Sequence, residues 1–140
     1  MEGTLKVRAV LENIPVAMAF IVEAARQAGF DEKAVGQIEI SVDEACANVV
    51  DHAYEGMPPG PMEVSFRQND LGLIITVRDW GHEFDLDSVP VPDVTAPLEE
   101  RELGGLGLFF MRQLMDSLEY RPDPELGNEL VMVKRLRRHE

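Results

Sequence analysis

The sequence predicts an α+β fold, a two-layer sandwich with helices on one face of a largely antiparallel sheet, and three observations carry that prediction. Two long segments within residues 14–53 repeat their apolar residues at helical spacing. A pair of short segments within residues 62–77 alternates apolar with polar residues, as strands do. A further helical segment and two more strand-like runs follow residue 103, so helices and strands do not alternate as a parallel chain of β-α-β units would require.

Taken in order, Thr4 to Val10 can form a first short strand. Ile14, Ala17, Met18, Ile21, Val22 and Ala25 then share one helical face; Pro15 falls where a first-turn proline is tolerated, and Gly29 stops the helix. Asp31 precedes a second helix, whose one-face positions Ile38, Val42, Ala45, Val49 and Ala53 carry it to the breaking run Gly56-Met57-Pro58-Pro59-Gly60-Pro61. Met62, Val64 and Phe66 alternate with Glu63, Ser65 and Arg67, and Leu71, Leu73, Ile75 and Val77 continue the alternation after Asn69-Asp70, which predicts a hairpin. Residues 85–103 hold Pro90, Pro92 and Pro97 and no periodicity; a stretch of that length within a compact domain reads as a lid over a site or as a disordered loop. Gly104-Gly105-Leu106-Gly107 opens a third helix with Leu108, Met111, Leu114, Met115 and Leu118 on one side. A strand near Leu118 to Arg121, a turn from Pro122 to Asn128 and a last strand from Glu129 to Leu136 complete the chain.

The bulk numbers narrow the function classes. A chain of 140 residues, 45% hydrophobic and 28% charged, fits one folded domain over residues 1–140. Its apolar runs are too short to cross a bilayer and MEGTLKVRAV has no signal-peptide core, so no membrane association and a cytoplasmic location are expected. The formal net charge of −13 opposes nucleic acid as a partner. The basic cluster Lys134, Arg135, Arg137 and Arg138 is the exception, read as the solvated end of the last strand. The single cysteine, Cys46, is expected to be a buried small hydrophobe, and the three histidines show no zinc-ligand spacing.

Three segments carry polar residues that could do chemistry. On the second helix Gln37, Ser41, Glu44, Asn48, His52 and Glu55 fall in a stripe about 80° wide beside the apolar face. The stripe reads either as a solvated helix face or as a site; a solvated face normally mixes in Lys or Arg, yet only His52 is basic between Lys33 and Arg67. In Arg78-Asp79-Trp80-Gly81 an apolar strand ends in a carboxylate and a glycine, either a turn or a pocket floor where Asp79 accepts from an exocyclic amine and Gly81 admits a flat ring. Gly104 to Gly107 leave backbone N–H groups unshielded at the positive end of a helix, where phosphate is the natural guest, without the Lys-Ser/Thr of a Walker A loop.

Together, Glu-x-x-x-Asn on a helix, Asp-x-Gly at a strand end, then a lid and Gly-x-Gly at a helix start resemble the GHKL ATPase family, which includes sensor histidine kinases, Hsp90, gyrase B and MutL. The finer resemblance, over nearly the whole chain, is to the small anti-sigma-factor serine/threonine kinases of bacteria, the RsbW and SpoIIAB type. EISVDEACANVVDHAY is similar to their N-box, VRDWGHEFD to their first glycine box, GGLGLFFMRQLMD to their second, and GNELVMVKRL to their last strand. The resemblance implies the Bergerat form of the sandwich, with a mixed, mostly antiparallel sheet and residues 85–103 as the ATP lid. It implies ATP and Mg²⁺ as cofactors, Asn48 as the Mg²⁺ ligand and Glu44 as general base on a serine or threonine hydroxyl. Asp79 would read adenine with Gly81 beside it, and Gly104, Gly105, Leu106, Gly107 and Leu108 would form the phosphate side. The sequence departs from the longer pattern Asp-x-Gly-x-Gly at Glu83, a change that bears on lid closure and phosphate affinity.

The function this implies is partner switching: the kinase holds a sigma factor inactive and phosphorylates a STAS-domain antagonist, as a homodimer. The alternative is a nucleotide-gated binding module of the same fold with little or no kinase activity. Glu44 separates the two, because a pure binder needs Asn48 and the glycines but no base. His52 is left without a role.

Overall fold

The computed structural model describes residues 1–83 and 103–137, so the lid expected at 85–103 lies, but for Leu103, outside the described residues. Strand β1 (Glu2–Arg8) leads through a short 3-10 turn into helices α1 (Ile14–Ala28) and α2 (Glu32–Asn48). Strands β2 (Pro61–Gln68) and β3 (Gly72–Asp79), helix α3 (Leu103–Leu114), and strands β4 (Ser117–Arg121) and β5 (Asn128–Arg135) follow. The five strands form one sheet in the order β1-β2-β3-β5-β4. Each neighbouring pair is antiparallel, so among the described residues the sheet is antiparallel throughout rather than mixed.

Local chemistry sets the element ends. Gly29 closes α1 in the left-handed region, φ 101°, where its N–H reaches the carbonyls of Ala25 and Arg26. Asp31 caps α2, its Oδ1 accepting from the Ala34 N–H at 2.8 Å. In the β2–β3 hairpin Asn69 Oδ1 accepts from the N–H groups of Leu71 and Gly72 at 2.9 and 3.1 Å, so the side chain stands in for backbone at the turn.

Alternation then sorts the sheet into two faces. Met62 and Val64 of β2, Leu73, Ile75 and Val77 of β3 and Met132 of β5 are buried against Ile21, Ile38, Val42 and Met111 of the helices. Burying each such side chain contributes about 1.5–3 kcal/mol, and this layer is the core. The other face carries a rung of alternating charge, Lys6, Glu63, Arg78, Glu129 and Arg121 in cross-strand register. Arg78 and Glu129 close to an ion pair in that rung, and Trp80, two residues on, lies under the Lys6 ammonium at 4.9 Å from the ring centre. No described helix is long and apolar enough to cross a membrane.

Helix α2 departs from expectation at its end. Its α-helical turns stop at Asn48, and Val49–Ala53 continue as a π-helical turn. Such turns hold one extra residue and collect at functional sites.

Candidate functional site

The first part of the polar stripe of α2 is a seam. Ser41 is fully buried and donates to the Gln37 carbonyl at 3.0 Å. Gln37 Oε1 accepts from Lys134 Nζ at 2.7 Å, and the same ammonium donates to the carbonyl of Leu114, the last residue of α3, at 2.5 Å. At the opposite end of the two helices Asn48 and Leu108 line one cleft, so α3 runs antiparallel to α2 along this stripe. The solvated-face reading therefore fails at Gln37 and Ser41, while His52 and Glu55 are exposed. Lys134 likewise is no solvated strand end but a half-buried tie between two helices.

The cleft holds about 570 Å³ of space, counting its open mouth, between α2 and its π turn, the end of β3, α3 and β5. Ala45, Val49, Val77 and Leu130 make apolar walls, and Asn48, Asp79, His52 and His82 supply the polar points. Flat apolar walls with a few fixed polar groups suit an aromatic ring carrying one or two hydrogen-bonding edges.

Asp79 is 7% exposed at the cleft floor. Its Oδ1 accepts from the Gly81 N–H at 2.9 Å and from Asn128 Nδ2 at 3.1 Å, and Oδ2 takes neither bond. Burial raises its pKa above the ordinary 3.8, and the Asn128 and Gly81 hydrogen bonds pull against that rise. Asn128, itself 5% exposed, faces Asp79 across the β3–β5 register and also donates to the Gly81 carbonyl at 3.1 Å. Among the described residues the carboxylate is thus held by one oxygen.

The π turn shapes the other wall. A wider turn uses more residues per revolution, so residues after Asn48 lag behind their α-helical positions. Ala53 is buried, with its carbonyl accepting from the His82 N–H at 2.6 Å. Gly81 packs on that same carbonyl so closely that a Cβ there would stand 2.0 Å from the oxygen. Only glycine permits this approach, and it joins the strand end to the helix end across the cleft. Tyr54 repeats the link, donating to the Pro61 carbonyl at 2.6 Å and accepting from the Trp80 N–H at 2.9 Å.

Asn48 lines the cleft, and among the described residues its side chain makes no capping bond to the turn it precedes. Glu44 lies one turn earlier, half-buried and outside the cleft wall itself. Burial raises its pKa above 4.5, Asp43 and Asp51 raise it further, and His52 lowers it. Gly104 to Gly107 lie within the first turns of α3 rather than ahead of it, and Leu108 reaches the cleft. Glu83 is exposed and borders a neighbouring hollow with Trp80, Asp123 and Gly127, not the cleft.

Sequence reasoning missed Asn128, Tyr54 and His82. Asn128 was legible only as a turn residue until strand register set it opposite Asp79.

Comparison with known proteins decides the family: the model of the histidine kinase-like ATPase domain matches residues 7–134. The chain belongs to the histidine kinase-like ATPase family, on the branch of the RsbW serine-protein kinases. It is 37% identical to serine-protein kinase RsbW of Halalkalibacterium halodurans over 133 residues, 92% of this chain and 80% of that one. RsbW of Listeria monocytogenes is 33% identical over 135 residues, 94% of this chain and 85% of its own. RsbW of Oceanobacillus iheyensis is 28% identical over 140 residues, covering 97% and 87%.

Proposed function

We propose that the chain is a Mg²⁺- and ATP-dependent protein serine/threonine kinase that holds a sigma factor inactive and phosphorylates a STAS-domain antagonist. The observation that carries this reading is that Asp79 and Asn48 line one apolar-walled cleft from opposite sides. Asp79 comes from the end of β3 and Asn48 from the end of α2, with Glu44 one turn before it. The RsbW relatives, named as serine-protein kinases, support the choice of protein hydroxyl as acceptor.

Asp79 accepts from the exocyclic amine of adenine, and Gly81, packed on the Ala53 carbonyl, holds the strand end that carries this carboxylate. The α3 N-terminus offers backbone N–H groups of the glycine run to the phosphates. Asn48 would hold Mg²⁺ through its amide oxygen, a neutral hard ligand that suits an ion keeping several of its waters. Bound there, the ion supplies charge neutralisation on the phosphates, which phosphoryl transfer needs more than covalent chemistry. Glu44 takes the proton of the substrate hydroxyl at a carboxylate oxygen. Its raised pKa makes it a stronger base than an exposed glutamate.

Glu44→Gln tests the reading with a purified antagonist and labelled ATP. ATP affinity is expected to persist while phosphate transfer is abolished; undiminished transfer removes Glu44 from the base role. Asn48→Ala should erase the Mg²⁺ dependence of ATP binding, and an unchanged dependence removes Asn48 as ligand. Glu83 in place of the second glycine favours one competing outcome, a nucleotide-gated binding module: ATP-dependent partner capture with no phosphate transfer by the native chain. Cytoplasmic location and a homodimer belong to the same reading, the second checked by light scattering of the purified protein.

A further inference from the structure

Lys134 follows Leu130 and Met132 on the helix-facing side of β5, where an apolar residue would continue the row without a desolvation cost. Instead its chain reaches the α2–α3 seam, where Nζ donates to Gln37 Oε1 at 2.7 Å and to the Leu114 carbonyl at 2.5 Å. Both acceptors are uncharged, and among the described residues no carboxylate stands within ion-pair distance of this ammonium. The Leu114 carbonyl is one of the orphan acceptors at a helix end and lies at the negative pole of α3, so a cation there is doubly favoured.

What this tie controls follows from the two helices it joins. Gln37 is on the helix that bears Glu44 and Asn48, and Leu114 ends the helix whose other end bears Gly104 to Gly107. Among the described residues Leu108 and Met111 of α3, with Met115 just past its end, add an apolar grip. Apolar contacts resist separation but are non-directional, whereas two hydrogen bonds from one ammonium fix axial position and rotation.

We propose that Lys134 is a positioning residue of the nucleotide site: it pins the C-terminal end of α3 to α2 and so sets where the glycine-bearing end stands relative to Asn48 and Glu44. The inference rests on the nucleotide reading above. A pin of this kind matters for the phosphates, which meet α3, and little for the base, which meets Asp79 on the sheet.

The test compares ATP with adenosine, each titrated against the fluorescence of Trp80, the only tryptophan and a neighbour of Asp79. Lys134→Met is expected to weaken ATP about 10-fold and leave adenosine within about 2-fold, with Lys134→Arg, which keeps the donors, restoring most of the loss. Gln37→Ala removes one of the two bonds and should weaken ATP about 3-fold, again sparing adenosine. Should Lys134→Met not fold, Gln37→Ala carries the comparison alone. Unchanged ATP affinity in a folded variant, or equal loss for both ligands, overturns the pin and leaves Lys134 a support of the fold only. Native protein that binds neither ligand overturns the nucleotide reading itself, and the pin's role with it.

Discussion

Replacing Asp79 by asparagine separates ligand recognition from folding more cleanly than any truncation could. Two donors, the Gly81 N–H and Asn128 Nδ2, converge on Oδ1 at 2.9 and 3.1 Å. In Asp79→Asn the amide oxygen must occupy that position, because the amide nitrogen there would meet two donors. The –NH₂ group then takes the place of Oδ2 and, on the proposed contact, would meet the amine of adenine donor against donor. Losing a charged acceptor and stranding a buried donor costs about 1.5–3 kcal/mol. At about 1.4 kcal/mol per decade that is about 10- to 100-fold in ATP affinity. A purine with a carbonyl at the same ring position, inosine triphosphate, would find the new donor useful, so the preference between the two nucleotides should invert.

Stability should move the other way. The folded pKa of Asp79 is raised above 3.8, so the folded state holds its proton to higher pH than the unfolded chain does. Stability from this group therefore falls as pH rises from 3.8 through the raised value and stays low above it. At neutral pH the ionised carboxylate is a burden on the fold that Asp79→Asn removes, and the Tm should hold or rise. Calorimetric titration with both nucleotides and a thermal melt measure all of this. Unchanged ATP affinity with no inversion of preference would refute Asp79 as the base reader; a large drop in Tm would refute the view that its burial is unfavourable.

Three further outcomes follow from the same geometry. Gly81→Ala sets a methyl 2.0 Å from the Ala53 carbonyl oxygen; the backbone must move, and a loss of about 1–3 kcal/mol is expected in a denaturant melt, with an unchanged midpoint refuting the close approach. Tyr54→Phe removes the bonds to the Trp80 N–H and the Pro61 carbonyl, both open to water; about 0.5–1.5 kcal/mol should be lost, read from the midpoint at constant m. A kinase using Glu44 as base loses activity as pH falls through the raised pKa, so the acid limb of kcat/KM lies above 4.5. Asp43→Asn should move that limb down and His52→Ala should move it up, since the first charge raises and the second lowers the Glu44 pKa; shifts of the same sign would show that neither charge acts on the base.

The parts of the fold legible in the chain are those made by neighbours in sequence. Pro15 and Gly29 bracket α1, Asp31 starts α2 and Asn69 turns the hairpin, each through its own backbone or side chain. The π turn was not legible, because an apolar period barely registers one extra residue and because what holds the turn, Gly81 against Ala53, lies across the cleft. The polar stripe was visible but ambiguous, since whether Ser41 meets water or α3 depends on packing that periodicity does not contain. Asn128 was hidden for a similar reason: its partner lies 49 residues away and is chosen by register. Lys134 was misread because a basic residue near a chain end is usually solvated, and here two helix ends consume it.

The charged rung on the open face settles a question that apolar alternation leaves unanswered. Sliding β3 against β5 by two residues would keep every greasy side chain on its proper side, so the core alone is nearly blind to that mistake. The slide would set Arg78 against Val131 or Gly127 and strand its guanidinium, whose Nε is already buried without an acceptor. The same slide would part Asp79 from Asn128, the next pair along the strands and on the opposite face. Proofreading of strand alignment and assembly of the cleft-floor carboxylate are therefore one event, and a chain threaded two residues off arrives with neither its ion pair nor its pocket floor.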